Sequence, residues 1–267
     1  MTMAADTHSA EPDASATPRQ VSFLEIGSVA PAKVSPLIDS LKDAHSVAGE
    51  ELRLLRAKVR KAAEGGGRRC IGITSALPGE GKSTLSAGLA AALARDAGRR
   101  VLLVEADLRR PTIAATLGLA PASGLGEFLR GGLDEVPVRL VQPGGFHLVV
   151  AGRMPLEEPE ALGSPLMDGL LRSARRDFDV VLLDVAPILP VADTILMQDL
   201  IDGFLLVVRS RQTPRDAILE ALSRLREDKI MGLVLNDHRE YSRSYTSYAY
   251  ERYGMASEAR RGGRRPR

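Results

Sequence analysis

The segment Cys70-Ile-Gly-Ile-Thr-Ser-Ala-Leu-Pro-Gly-Glu-Gly-Lys-Ser-Thr84 joins a short apolar run to a glycine-rich loop, and a helical pattern follows it. The loop Ala76–Thr84, called the nucleotide loop below, matches GxxxxGK[ST] at Gly81–Ser83 and has alanine at the first glycine position. Glycines let backbone N–H groups turn toward phosphate oxygens, and a following helix directs its positive end at the same anion. The segment therefore predicts a nucleotide phosphate site.

The residue types in the nucleotide loop assign a role to each position. Lys82 can reach the β- and γ-phosphates, and Ser83 offers a hydroxyl ligand to Mg²⁺. Thr84 is placed to touch the α-phosphate. We expect ATP to be bound through Pro78, Gly79, Glu80, Gly81, Lys82, Ser83 and Thr84.

Two further apolar runs end in carboxylates. Val101–Glu105 is followed by Asp107, and Val180–Asp184 ends in its own aspartate. The carboxyl ends of parallel strands face the ligand crevice of an open sheet. We expect Asp107 and Asp184 to hold Mg²⁺ directly or through water.

The remaining polar residues after Val101–Glu105 are candidates for the chemistry itself. Glu105 can accept the proton of an attacking hydroxyl, and Arg109 and Arg110 can bind phosphate or neutralise transition-state charge. Helix capping or a surface ion pair is the alternative for these three residues and also for Asp107 and Asp184. The predicted catalytic set is Lys82, Glu105, Asp107, Asp184 and Arg109.

Strand and helix patterns alternate along the chain. The predicted strands are Cys70–Thr74, Val101–Glu105, His147–Ala151, Val180–Asp184, Phe204–Val208 and Met231–Asn236. The predicted helices are Ser83–Asp96, Pro159–Arg176 and Thr213–Glu227, the last with Thr213 as N-cap. A further helix is predicted to begin at Ser46 and to end at Gly65–Gly67, with Ala48, Leu52, Leu55 and Val59 on one face. Near-continuous Val, Leu and Ile runs are typical of strands buried on both faces. The alternation predicts an α/β fold in which a parallel β-sheet carries helices on both faces.

Composition sets the limits of this interpretation. The chain has 267 residues, 44% hydrophobic and 26% charged, with a single cysteine that excludes an internal disulfide and fits a reducing compartment. No apolar run approaches the roughly 20 residues that span a bilayer, and the N-terminus lacks the pattern of a secretory signal. We therefore expect a cytoplasmic protein whose membrane attachment comes through a partner.

The chain divides into three parts. Residues 1–36 are expected to be a largely disordered N-terminal segment, residues 37–239 the α/β domain, and residues 240–267 a polar tail. Both terminal segments are expected to be flexible. Only the basic tail favours a nucleic-acid-binding function. Nucleic-acid-binding domains usually carry a basic stripe on the folded body, and this chain concentrates its excess positive charge in the tail. We therefore expect no nucleic-acid partner.

All five tyrosines of the chain lie in the tail. A tyrosine cluster in a polar segment does not form a core, so it is either an adhesive disordered stretch or a set of phosphate acceptors. Each added phosphate would bring about −1.5 to −2 charges to a basic segment. The predicted acceptors are Tyr241, Tyr245, Tyr248, Tyr250 and Tyr253.

Taken together, these motifs resemble the bacterial tyrosine autokinases of exopolysaccharide and capsule synthesis, which belong to the P-loop NTPases. The resemblance rests on ALPGEGKST at Ala76–Thr84, VLLVEADLRRP at Val101–Pro111, VVLLD at Val180–Asp184 and the tyrosine cluster. It extends from about Leu37 to Tyr253. It implies a protein-tyrosine kinase that uses Mg-ATP and phosphorylates its own tail in trans.

The resemblance also implies partners and an assembly. The helix 46–63 carries Glu50, Arg53 and Arg56 in an ExxRxxR arrangement. In this family the arrangement builds a ring of subunits, and an octamer is one possible ring size. The alternative is that these residues form a solvated helix face. A membrane polysaccharide co-polymerase is implied as activator, which places the protein at the inner face of the cell membrane, and a cognate tyrosine phosphatase as antagonist. Asn236, by likeness to related ATPases, is expected to contact adenine.

The chain departs from the family pattern at a few positions. Glu105 stands where the family usually has aspartate, Val185-Ala186-Pro187 replaces a Thr-Pro-Pro run, and Leu52 replaces an aromatic residue. Two alternatives follow: a positioning ATPase, which would carry a second lysine where this chain has Leu77, and a non-catalytic ATP-binding switch or scaffold of the polysaccharide machinery.

Overall fold

The computed structural model describes residues 21–30, 38–39, 46–153 and 159–237. Within these residues the chain forms one eight-stranded sheet with helices on both faces. The tyrosine cluster, the arginine-rich end of the chain and most of the predicted N-terminal segment lie outside the described residues.

The sheet consists of eight strands. They are β1 (Phe23–Val29), β2 (Cys70–Ser75), β3 (Val101–Glu105), β4 (Val136–Val141), β5 (Phe146–Val149), β6 (Val180–Asp184), β7 (Gly203–Arg209) and β8 (Ile230–Asn236). They lie in the order β1-β4-β5-β3-β6-β2-β7-β8. β4 pairs antiparallel with β5, whereas the other described strand pairs are parallel. The predicted α/β class, a largely parallel sheet between helices, is confirmed.

Seven helices connect or flank the strands within the described residues. They are α1 (Val47–Gly66), α2 (Lys82–Leu93), α3 (Ile113–Thr116), α4 (Leu125–Leu129), α5 (Pro165–Asp177), α6 (Asp193–Leu196) and α7 (Arg215–Arg224), with 3₁₀ turns at Pro159–Gly163 and Glu227–Lys229. None of the helices described here is long and apolar enough to cross a membrane.

Successive residues of the central strands point into different cores. In β3, Leu102 and Val104 belong to the core beneath α4, α5 and α7, while Val101 and Leu103 belong to the core beneath α1 and α2. All four side chains are fully buried. Burial on both faces explains why the central strands have near-continuous apolar sequences.

Helix α1 begins and ends where the sequence predicts. The Ser46 Oγ accepts a hydrogen bond from the Gly49 N–H at 3.3 Å, and Gly67 closes the helix with a left-handed φ of 64°. Leu52 is buried in the core beneath α1 and α2, as predicted. On the same predicted face Val59 is buried, Leu55 is half-buried and Ala48, near the start of the helix, is exposed.

Two helices begin at other residues than the sequence predicted. The Ser164 Oγ accepts a hydrogen bond from the Met167 N–H at 3.3 Å, which starts α5 there and leaves Pro159–Gly163 as a 3₁₀ turn. The predicted N-cap Thr213 was wrong, because Pro214 occupies the cap position of α7. Tertiary contacts described below engage the Thr213 hydroxyl instead.

Two strands were not predicted. β1 lies inside the segment 1–36 that was expected to be largely disordered, and it pairs with β4 in parallel. β4 alternates buried and partly exposed residues, unlike the central strands. Neither strand has the continuous apolar run on which the predictions depended.

Candidate active site

The nucleotide loop between β2 and α2 has two glycines with left-handed backbone. Gly79 has φ 82° and Gly81 has φ 92°, a region that favours glycine. A Cβ on Gly81 would lie 2.1 Å from Asn236 Nδ2, so a larger residue would displace that amide. These positions explain why the loop needs glycine in its second half.

Asn236 and Glu80 hold the nucleotide loop in place. The Asn236 Nδ2 donates a hydrogen bond to the Glu80 carbonyl oxygen at 2.9 Å. The Glu80 carboxylate is buried, accepts from the Leu77 N–H at 3.0 Å and is hydrogen-bonded to the Thr213 hydroxyl. Asn236 therefore supports the loop from β8, and its predicted adenine contact remains a prediction.

The start of α2 is suited to an anion. Gly81 is the N-cap and supplies no side-chain hydrogen bond to the first turn. Backbone N–H groups at such a helix start are available to phosphate oxygens. Pro78 and Thr84 are exposed and Ser83 is half-buried, so this side of the loop is open to a ligand.

Lys82 lies between carboxylates from two neighbouring strands. Its Nζ is 2.7 Å from Asp107 Oδ2, 3.6 Å from Asp184 Oδ1 and 3.5 Å from Ser83 Oγ. Lys82 is 7% exposed and Asp184 is fully buried. The structure thus brings four of the predicted site residues together at the carboxyl ends of β2, β3 and β6.

The Asp184 carboxylate is only partly satisfied by the protein. Burial raises the pKa of Asp184 from 3.8 to about 6, against the opposing effect of the Lys82 ammonium. Its Oδ1 accepts from the Ser86 hydroxyl at 3.3 Å, whereas its Oδ2 is buried and has no hydrogen-bond partner. An unpartnered buried carboxylate oxygen is costly unless a ligand completes it.

This donor set fits Mg²⁺ bound together with nucleotide. Mg²⁺ in nucleotide sites takes one or two carboxylates, with phosphates and waters completing its shell. The Asp184 Oδ2, the Ser83 hydroxyl and Asp107 are oxygen donors of this kind. No group of three or more His, Cys, Asp or Glu side chains suited to a metal occurs among the described residues.

Glu105 is buried and engaged with the backbone. Its Oε1 accepts a hydrogen bond from the Ile113 N–H at 2.6 Å, and its Oε2 accepts from the Ala151 N–H at 3.1 Å. Burial raises the pKa of Glu105, and the backbone N–H groups oppose that rise. These contacts join the segment after β3 to the segment after β5. The geometry favours positioning over proton transfer for this side chain.

Arg109 and Arg110 have different environments. Arg109 makes two hydrogen bonds to the buried Asp193 carboxylate, from Nε at 2.8 Å and from Nη2 at 3.1 Å. This pair links the loop after β3 to α6. Arg110 is exposed, and its N–H donates to Asp107 Oδ1 at 3.0 Å. Of the two arginines, Arg110 is the one whose side chain faces solvent.

Sequence reasoning missed several residues that support the site. Thr213 reaches Glu80, Asp193 holds Arg109, and Ser86 contacts Asp184. Arg209 contacts the Gly79 carbonyl oxygen at 3.4 Å from the end of β7. Ser86 could have been found from its place one helical turn after Lys82, but the other partners are distant in sequence and carry no local signal.

The predicted oligomerisation residues lie along α1. Glu50 and Arg53 form an exposed ion pair of 2.6 Å. Arg56 is 3.6 Å from Asp96 and donates to the Ala92 carbonyl oxygen at 3.4 Å, so it is also tied to α2 of its own chain. A role in assembly remains a prediction for all three residues.

Comparison with known proteins places this site in a family. Residues 71–256 match the CobQ/CobB/MinD/ParA nucleotide binding domain. The tyrosine-protein kinase YwqD of Bacillus subtilis is 32% identical over 210 residues, covering 76% of this chain and 88% of YwqD. The succinoglycan biosynthesis transport protein ExoP of Rhizobium meliloti is 37% identical over 174 residues, 63% of this chain but 22% of ExoP.

A solved structure agrees with these matches. The kinase domain of the Escherichia coli tyrosine kinase ETK is 30% identical, with a TM-score of 0.70 over 75% of this chain and 79% of that domain. The fold and the Lys82 site define a P-loop nucleotide-binding protein. The chain belongs to the CobQ/CobB/MinD/ParA nucleotide-binding family and, within it, to the bacterial tyrosine-protein kinases. The predicted enzyme class, a protein-tyrosine kinase, is confirmed.

Proposed function

We propose that this chain transfers the γ-phosphoryl group of Mg-ATP to tyrosines of its own C-terminal tail, and that the transfer occurs between subunits of a ring. The observation that carries the proposal is the position of Lys82, with Asp107 and Asp184 at one side and the nucleotide loop at the other. The acceptors are the tail tyrosines Tyr241, Tyr245, Tyr248, Tyr250 and Tyr253.

The residues of the site divide the work of phosphoryl transfer. The nucleotide loop and the start of α2 bind the phosphates, and Lys82 neutralises charge at the β- and γ-phosphates. Ser83, Asp107 and Asp184 would hold Mg²⁺, which when bound would offset the charge of the transferring group. Asp107 orients Lys82 through the 2.7 Å contact.

Glu105 acts in this proposal through the backbone. Because both carboxylate oxygens accept hydrogen bonds from backbone N–H groups, the side chain fixes the loop that carries Asp107. A loose phosphoryl-transfer transition state needs little activation of the attacking phenol. A strong general base is therefore not required at this position.

The biological role is the control of polysaccharide synthesis. ExoP is named for succinoglycan biosynthesis and transport, and it is similar to this chain over 174 residues. We propose that a membrane co-polymerase activates the kinase at the inner face of the membrane and that a tyrosine phosphatase resets it. Phosphorylation would add negative charge to the basic tail and weaken contacts between subunits.

The test is incubation of the full-length chain with Mg-ATP, with and without the cytoplasmic part of the co-polymerase, followed by phosphotyrosine detection. Wild type should give a signal, and Lys82→Met and the five-fold Tyr→Phe tail variant should each lose it. Lys58→Met, an exposed lysine of α1, is the matched control and should retain the signal. ATP hydrolysis without phosphotyrosine would favour the alternative, an ATP-driven switch or scaffold.

A further inference from the structure

Strand β8 forms one edge of the sheet, and no strand among the described residues pairs with its outer side. The backbone N–H and C=O groups on that side are therefore available to another extended segment. Proteins usually protect such an edge with charged residues, proline, a bulge or a covering segment. The sequence of β8, Ile-Met-Gly-Leu-Val-Leu-Asn, contains neither a charged residue nor a proline.

The opposite edge of the sheet is protected by its own sequence. β1 carries Glu25, whose side chain is 65% exposed, and its pairing with β4 shifts between Glu25 and Ser28. In β8 the pairing with β7 shifts only beside Gly232, and the run Leu233–Asn236 then pairs without interruption. The second half of β8 is therefore an edge that its own sequence does not protect.

An apolar strip lies along this half of β8. Leu233 is 52% exposed and Leu235 is 57% exposed. Leu233 pairs with Leu206 of β7 and Leu235 pairs with Val208, and both β7 residues belong to the core beneath α4, α5 and α7. The two leucines thus lie on that face of the sheet. A strand added outside β8 would bring side chains beside them and cover them.

The chain itself continues from this edge. Asp237, the last described residue, has a left-handed φ of 55°, a conformation that ends a strand and allows the chain to reverse. Its carboxylate is held by Arg209 Nη2 at 3.0 Å. A segment tethered this close to the edge has an effective concentration on the order of millimolar. It therefore competes well for β8 against a second copy of the chain.

The residues that follow Asp237 suit a strand. Residues 241–250 are Tyr-Ser-Arg-Ser-Tyr-Thr-Ser-Tyr-Ala-Tyr, without glycine or proline. Tyrosine and threonine are favoured in strands, whereas glycine and proline are depleted there. A three-residue hairpin loop at 237–239 would pair residue 240 with Asn236 and place Tyr241 beside Leu235.

We propose that residues 240–247 form a ninth strand, antiparallel to β8, while the tail tyrosines are unphosphorylated. This tail strand pairs with the outer backbone groups of β8 and covers Leu233 and Leu235. Tyr241 and Tyr245 are four residues apart and so lie on one face of the tail strand, the face that covers the two leucines. The pairing holds these tyrosines on the sheet of their own chain, where a neighbouring subunit cannot phosphorylate them.

Phosphorylation would release the tail strand, a consequence that rests on the proposed kinase function. Each phosphate adds about −1.5 to −2 charges. A phosphate held beside Leu233 and Leu235 would lose water without gaining a partner, which is unfavourable. The paired state is therefore confined to unphosphorylated chains. The surface on β8 does not itself depend on kinase activity.

Hydrogen exchange measured by mass spectrometry tests the surface without turnover. The sample is the full-length chain, treated with a tyrosine phosphatase and free of nucleotide. Leu233→Lys with Leu235→Lys should speed exchange of the amides of residues 240–247 at least ten-fold, because charged side chains oppose pairing at an edge. Leu24→Lys with Ile26→Lys is the matched control, since both residues are exposed on the opposite edge strand, and should leave this exchange unchanged.

A second variant leaves the folded domain untouched and decides the question if the lysine variant does not fold. Ser244→Pro with Ser247→Pro removes backbone N–H groups from both alternating sides of the tail strand. The outer amides of β8 should then exchange at least ten-fold faster than in wild type. Ala256→Pro with Ser257→Pro, beyond the tyrosines, should leave them unchanged.

Equal β8 exchange in wild type and in the variant with prolines at 244 and 247 would overturn the inference. Rates that are equal and fast would show an uncovered edge, and rates that are equal and slow would show a second copy or another partner on β8. Both results exclude the tail strand.

Phosphorylation then separates this inference from the proposed function. After incubation with Mg-ATP and the activator fragment, wild-type chains that carry phosphotyrosine should show the fast exchange of the proline variant. Slow exchange in phosphorylated chains would overturn the release. If phosphotyrosine forms but dephosphorylated wild type exchanges fast, the β8 surface fails and the kinase function stands. If no phosphotyrosine forms, the kinase function fails and the exchange of the unphosphorylated chain alone decides the surface.

Discussion

Lys82 and Asp184 form a buried pair whose charges are not balanced by the protein alone. The ammonium is shared between Asp107 and Asp184, and one oxygen of Asp184 has no hydrogen-bond partner. Taking charged groups out of water costs free energy that an incomplete set of contacts does not recover. The ligand-free site therefore lowers the free energy of unfolding, and bound Mg²⁺ with nucleotide phosphate would offset this loss.

The pH dependence of stability should reveal this cost. The pKa of Asp184 is raised to about 6, so the folded chain binds the proton more tightly than the unfolded chain, in which the pKa is near 3.8. Stability supplied by this group is complete below about pH 4 and is lost as the pH rises through about 6. The loss amounts to up to about 3 kcal/mol at about 1.4 kcal/mol per pKa unit. Urea denaturation without ligand from pH 4 to pH 8 measures it.

Asp184→Asn should remove this fall in unfolding free energy while abolishing phosphotyrosine formation. Asp199→Asn, at an aspartate whose side chain is 84% exposed, should keep the wild-type profile. If the unfolding free energies of wild type and Asp184→Asn changed in parallel with pH, burial would not destabilise the ionised Asp184 carboxylate as inferred.

Single residues of the site differ in how far sequence could predict them. Lys82, Ser83, Asp107 and Asp184 follow from motif spacing, because strand ends and helix starts converge at one edge of a parallel sheet. The engagement of Glu105 does not follow, because its partners are 8 and 46 residues away. Whether a carboxylate is free for chemistry depends on such distant contacts.

At the scale of elements, the central strands were predictable and the edges were not. β3 and β6 have the predicted limits because burial on both faces imposes a continuous apolar sequence. β1 and β4 form by pairing between segments about 110 residues apart; β1 is mostly exposed, and β4 mixes buried with partly exposed residues. Local patterns do not report such pairing.

Helix α1 allows a test of assembly. Arg53→Ala with Arg56→Ala should convert the ring to monomers if these residues contact a neighbouring subunit. The double variant should remain folded, since exposed ion pairs such as Arg53–Glu50 contribute about 0–1 kcal/mol. Light scattering with a thermal unfolding scan provides both readouts.

Arg60→Ala with Lys61→Ala removes the same number of charges from the same helix and is the matched control. Both control residues are exposed in the described structure. An unchanged oligomer in the Arg53 and Arg56 variant would remove assembly from the role of these two arginines.

At the scale of the whole molecule, the base of the tail adjoins the nucleotide loop. Arg209 binds the Asp237 carboxylate from Nε at 3.2 Å and Nη2 at 3.0 Å, and it also contacts the Gly79 carbonyl oxygen. The last described residue of the chain is thus joined through one side chain to the loop that binds phosphate. This arrangement starts the proposed acceptor segment beside the nucleotide loop.

The most direct measurement of the central claim mixes two defective full-length chains with Mg-ATP and the activator fragment. One chain carries Lys82→Met with an intact tail, and the other has an intact site with all five tail tyrosines changed to phenylalanine. The account predicts phosphotyrosine on the Lys82→Met chain, located by mass spectrometry within Tyr241–Tyr253. Its absence from the mixture, when wild type alone is phosphorylated, would contradict transfer between subunits, and its absence from wild type as well would contradict the kinase function.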